Sequence, residues 1–157
     1  MLEQRFNKTR LNIAASEISR DESGLIRIKI SENRTINPQD MQVITVAIGY
    51  LSTGGPKPVV VELGDGSEIT KQAAKTLLNS GVCHHMQCLA FVSSSFGHYI
   101  RMSMSMLMQK PVTPIKVFRQ SGTALRWLEE KVQAYTSASG RAYEVEAASG
   151  VPYSLNF

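Results

Sequence analysis

Between Leu25 and Ile30 apolar and basic side chains alternate, with Arg27 and Lys29 set between Ile26, Ile28 and Ile30. A period of two marks a strand with one dry face. Ahead of it, Leu11, Ile13 and Ala15 alternate with Asn12, Ala14 and Ser16, which predicts a second strand over 11–16. Residues 20–24, Arg-Asp-Glu-Ser-Gly, read as the turn between them, with Gly24 supplying a positive φ. The chain therefore opens on an antiparallel β-hairpin.

The period then changes. Asn37 is a good N-cap, Pro38 suits the first helical position and Asp40 places a negative charge in the first turn. Met41, Ile44, Ile48 and Leu51 supply the buried stripe, and residues 53–56, Thr-Gly-Gly-Pro, end the helix. Val59, Val60 and Val61 are continuously apolar, with Leu63 beyond, as in a central strand covered on both faces. Gly64, Asp65, Gly66 and Ser67 make a turn, and Thr70 caps a helix beginning at Lys71. Ala73, Ala74, Leu77 and Leu78 form its inner face.

Residues 89–92 read as the next strand, and Ser93, Ser94 and Ser95 close it and cap a third helix over 96–109. Pro111 and Pro114 bracket a connection to a last strand over 115–118. Ser121 opens a fourth helix with Ala124, Leu125, Trp127, Leu128 and Val132 facing inward. Truncating Trp127 in that stripe is expected to cost about 3–5 kcal/mol. Past Tyr135 the composition turns small and polar, so 136–157 is expected to be a tail outside a single domain spanning 1–135. This is an α/β fold: a mostly parallel sheet of about five strands, a leading hairpin and about four helices.

The third helix carries Met102, Met104, Met106 and Met108 at every second position. Phe96, Ile100, Ser103, Met104 and Leu107 can form one stripe against the sheet. Tyr99, Met102 and Met106 then form a second stripe, expected to be an adaptable interaction surface.

Composition narrows the setting. Hydrophobic residues make up 43% of 157, enough for a core, and the net charge of +4 is spread along the chain. A nucleic-acid surface would concentrate its cations, so no nucleic-acid partner is expected. The start of the chain is polar, and no apolar run approaches the roughly 20 residues of a membrane span. A cytoplasmic location is expected, and two cysteines make no disulfide scaffold.

Candidate chemistry is sparse. Cys83, His84, His85 and Cys88 are zinc-type ligands, but Cys-His-His-x-x-Cys lacks a second pair and runs straight into a strand. The reading is a buried Cys88, a partly buried Cys83, two loop histidines and no metal. His98 lies on a different element from either cysteine, and Ser93, Ser94 and Ser95 lack the Gly-x-Ser-x-Gly elbow. Gly64-Asp65-Gly66-Ser67 is too short for a phosphate-binding P-loop. No enzyme activity and no cofactor are expected.

Several stretches together resemble the STAS superfamily, the sulfate-transporter and anti-sigma-factor-antagonist domains. They are GLIRIKI at 24–30 with TINPQDM at 35–41, and PVVVEL at 58–63 with EITKQAAKTL at 68–77. LAFVSSSFGHYIRMSMSML at 89–107 and PVTPIKVFRQSGTALRWLEE at 111–130 complete the set. The chain is most similar to the small bacterial STAS-like group with a leading hairpin. The resemblance implies a non-catalytic module. It also implies a phosphorylatable Ser or Thr in the loop after the central strand, which places a partner or phosphoswitch site at Asp65, Ser67 and Thr70, with Ser67 exposed. Antagonist domains commonly carry Asp-Ser-Ser-Gly there, whereas here Gly66 separates Asp65 from Ser67. The combined reading is a regulatory or protein-binding module, self-associating as a homodimer through the methionine-rich helix. The alternative is a carrier or sensor of a small apolar ligand held between helix and sheet.

Overall fold

The computed structural model describes residues 9–13, 15–79, 81–109 and 112–149, and their side chains except at 9, 106–109 and 139–149. Six strands form one sheet in the order β1 (Thr9–Ile13), β2 (Ser16–Arg20), β3 (Ile26–Ile30), β5 (Lys57–Leu63), β7 (Met86–Val92), β8 (Ile115–Phe118). β1, β2 and β3 pair antiparallel, and β3, β5, β7 and β8 pair parallel. The expected strand over 11–16 is thus two strands. The chain reverses after Ile13, where the Ser16 hydroxyl donates to the Ile13 carbonyl at 2.9 Å. The expected hairpin is β2–β3. Asp21 Oδ1 accepts from Leu25 N at 3.0 Å, and Gly24 sits at φ +92°.

Register explains the core. Leu11, Ile18, Ile28, Val61, Phe91 and Val117 lie side by side across the sheet. They face the layer to which helices α1 (Pro38–Leu51), α2 (Lys71–Asn79) and α3 (Phe96–Gln109) contribute Ile48, Leu77 and Met102. The opposite face is dry only in the middle, where Val60, Cys88, Ala90 and Val92 pack with Ala124 and Leu128 of α4 (Ser121–Ser149). Towards β2 that face turns polar, and Arg27 pairs with Glu62 at 3.7 Å. Helix α4 continues past Tyr135 to Ser149, so the expected tail begins as helix.

Two short strands set where α1 and α2 begin. β4 (Thr35–Ile36) and β6 (Glu68–Ile69) pair in parallel as a sheet of their own. Each leads into a helix cap. Asn37 and Asp40 form a reciprocal capping box at α1, and Thr70 Oγ1 accepts from Ala73 N at 3.1 Å at α2. The far end of α1 is held by Arg20, whose guanidinium donates to the Leu51 carbonyl at 2.9 Å. Gly64 follows β5 at a close backbone crossing, where a Cβ would stand 2.7 Å from Ile30 O and Glu32 N. Among the described residues no helix is long and apolar enough to cross a membrane.

Candidate functional site

The loop after the central strand is built differently from its sequence expectation. Asp65 is exposed, and its Oδ1 accepts from the Ser94 hydroxyl at 3.0 Å. Ser67 is buried, at 4% exposure, rather than exposed. Its hydroxyl donates to the Ser31 carbonyl and accepts from Arg34 N at 3.1 Å, tying the loop to the chain that leaves β3. It is a structural cross-tie with no accessible hydroxyl. Thr70 is the α2 N-cap as expected.

The α3 surface is also inverted. Met102 is 5% exposed, and Tyr99 packs partly buried against the core with its ring stacked on Phe96 at 6.4 Å. Phe96, Ile100 and Met104, expected to face the sheet, are exposed at 58%, 40% and 62%. The Met106 side chain lies outside the described residues. In the observed rotation of α3, His98 and Met102, one turn apart, face inward, with Met102 in the apolar core and His98 Nε2 accepting from Ile69 N at 3.4 Å.

That rotation opens a cleft of about 640 Å³ between α2 and α3. Ile69 and Ala74 line it from one side, His98, Met102 and Met104 from the other. Lys71 and Lys75 on α2 and Arg101 on α3 supply its charges, together with Glu68, which pairs with Arg101 at 3.5 Å. Ser105 also lines the cleft, with its Oγ buried and without a hydrogen-bond partner among the described residues. Of the site residues expected from sequence, Thr70 and Met102 line this cleft. That Ala74, His98 and Met104 share it with the charged residues became visible only when α2 and α3 were brought together. Their spacing was a latent signal, because 71, 74 and 75, and 98, 101, 102 and 105, each occupy one helix face.

His98 is 4% exposed. Burial, reinforced by the Arg101 charge and opposed by Glu68, lowers its pKa below the ordinary 6.5. A base whose folded pKa is depressed is neutral in the native state and protonates first in the unfolded one. Stability should therefore be complete above about pH 6.5 and fall as pH drops toward the folded pKa. His98→Gln keeps an acceptor for Ile69 N and removes the titration. Its melting temperature should lose less than that of wild type between roughly pH 7 and 5. Parallel melting curves for the two proteins would remove His98 from the acid response.

The two cysteines lie in different layers. Cys88 belongs to the α4 side of the sheet and Cys83 packs on the other. Burial pushes the Cys88 thiol up to about 11, so it stays protonated. Cys83 Sγ donates to the Leu78 carbonyl at 3.8 Å, and His84 and His85 are exposed in the 3₁₀ turn Val82–His85. Among the described residues no group of three or more His, Cys, Asp or Glu side chains is placed to hold a metal ion.

Comparison with known proteins gives a family model described as "Domain of unknown function (DUF7793)", which matches residues 19–132. No curated protein matches. A solved structure similar to this chain is that of an uncharacterized protein from the DUF3478 family with a SpoIIAA-like fold from Shewanella loihica PV-4. It shares 12% identity with a TM-score of 0.47, covering 77% of this chain and 91% of that one.

Proposed function

The chain belongs to the family described as domain of unknown function (DUF7793), and from that premise we propose that it is a non-catalytic binding module with a regulatory role. Its binding site is the cleft between α2 and α3, and its ligand is a small molecule with an apolar body. The observation that carries this reading is the cleft itself. A volume of about 640 Å³ falls in the ordinary range for small-molecule sites, and apolar walls with a few polar groups suit such a ligand. The state of the chain's chemically versatile groups supports a non-catalytic role. His98 Nε2 is occupied by a backbone amide, Ser67 is a cross-tie, and the Cys88 thiol is buried and protonated.

Regulation would read out on the neighbouring surface. Phe96, Ile100 and Met104 form an exposed apolar stripe on the helix that walls the cleft. A ligand that shifts α3 alters that stripe, and a partner protein or a second copy of the chain docking there senses it.

Native mass spectrometry of protein purified from its own cells is the test. The expected spectrum shows an added mass of small-molecule size that organic extraction removes. Ser105→Phe, which places a ring in the cleft, should weaken binding of that extracted compound by about tenfold or more while the protein stays folded. Bare protein that also fails to take up an alkyl probe would end the reading.

A further inference from the structure

Resting on the cleft as the binding site, we infer that its ligand is a single-chain anionic amphiphile, an alkyl carboxylate or alkyl phosphate. The cationic rim holds the head and the apolar walls hold the tail. The charge balance of the lining leads to this class. Lys71 and Lys75 stand on one face of α2, and Arg101 stands across from them on α3. Glu68 opposes these three cations, and its carboxylate is already engaged by Arg101 at 3.5 Å.

His98 leaves this balance unchanged, because burial disfavours its protonated, cationic form. The α2 N-terminus, capped by Thr70 at the cleft, adds a partial positive charge of the same sign. A wholly apolar ligand would leave this rim unanswered, and a cation would be repelled by it. Beside the rim, Met104, 62% exposed, offers apolar surface together with the edges of Ile69, Ala74 and Met102, where each buried methylene contributes about 0.8 kcal/mol. Methionine adapts to a flexible chain better than a branched side chain does.

The test compares probes that share one tail. Dodecanoate, dodecanol and dodecyltrimethylammonium are titrated into the full chain by calorimetry below their micellar concentrations, with inorganic phosphate as a head without a tail. Dodecyl phosphate against dodecanoate distinguishes the two head chemistries. Dodecanoate or dodecyl phosphate should bind about tenfold tighter than dodecanol, a margin that two or three exposed ion pairs supply. Dodecyltrimethylammonium should bind more weakly than dodecanol, and the preference for the anions should shrink as salt rises.

Lys71→Glu combined with Lys75→Glu reverses the sign of the rim, so dodecyltrimethylammonium should then bind tighter than dodecanoate. Both side chains are exposed, so circular dichroism of the variant should match wild type. Equal binding of dodecanoate and dodecanol overturns the anionic head and leaves the cleft reading standing. Failure of every alkyl probe overturns both, and leaves a polypeptide as the occupant of this face.

Discussion

Replacing Ser67 with aspartate should destabilise the fold by about 3–5 kcal/mol, the cost of a buried charge without a partner. The position looks permissive in sequence, since it follows Gly-Asp-Gly and precedes a helix cap. In the structure its hydroxyl donates to Ser31 O and accepts from Arg34 N at 3.1 Å, at 4% exposure. A carboxylate keeps the acceptor role toward Arg34 N. It loses the donor role, and its charge then faces the lone pairs of the Ser31 carbonyl. Ser67→Ala removes both bonds without adding charge and should cost about 1–3 kcal/mol through the two unsatisfied backbone groups.

Thermal unfolding should order the variants as wild type, then Ser67→Ala, then Ser67→Asp. The last should lie about 10 °C or more below wild type. Asp65→Asn, on the exposed tip of the same loop, is the control and should stay within a few degrees, roughly. If Ser67→Asp melts beside that control, the cross-tie does not hold the loop. The same physics bears on the phosphoswitch implied by the STAS resemblance. A phosphate carries more charge and volume than a carboxylate. Modification at Ser67 would therefore require the loop to separate from the β3 exit, and the Ser67→Asp melting loss measures the cost of that opening.

How far the sequence could be read depended on the range of the interactions. Local signals read well. The Ile26–Ile28–Ile30 alternation, the Val59–Val61 run and the Asn37–Pro38–Asp40 cap each encode their structure within a few residues, and each formed where expected. Ser67 failed because its partners lie 36 and 33 residues away. The α3 rotation failed for a different reason. Methionine at every second position gives a helix no unique apolar face, so periodicity alone could not choose between its stripes. The observed choice buries Met102 in the core and lets His98 accept from Ile69 N, 29 residues back in the chain. The cleft inherits that ambiguity, because its walls come from two helices whose proximity no local pattern records. β4 and β6 were missed because two residues each are too few to show a period.

The two faces of the sheet should respond very differently to losing an aromatic ring. Phe91 is fully buried on β7, flanked in register by Val61 and Val117, beneath the layer formed by α1, α2 and α3. Phe91→Ala should cost about 3–5 kcal/mol, since a cavity at the centre of a close-packed layer has no solvent-exposed side to collapse from. Trp127, expected in sequence to be a core residue of equal weight, is only partly buried on the thinner α4 face. Its ring is tilted on Phe118 with the centroids 5.6 Å apart, and the Lys131 ammonium lies over the ring, 5.8 Å from its centroid. Water already reaches that ring, so Trp127→Ala forfeits part of an aromatic contact rather than opening a sealed cavity. Its cost should be about 2 kcal/mol, closer to a partial burial term than to a core truncation. Urea unfolding of both variants measures the difference directly, with unchanged slopes securing the comparison. Equal midpoints would mean that α4 seals its face as tightly as the three helices seal theirs, and that the asymmetry of the two layers is not energetic.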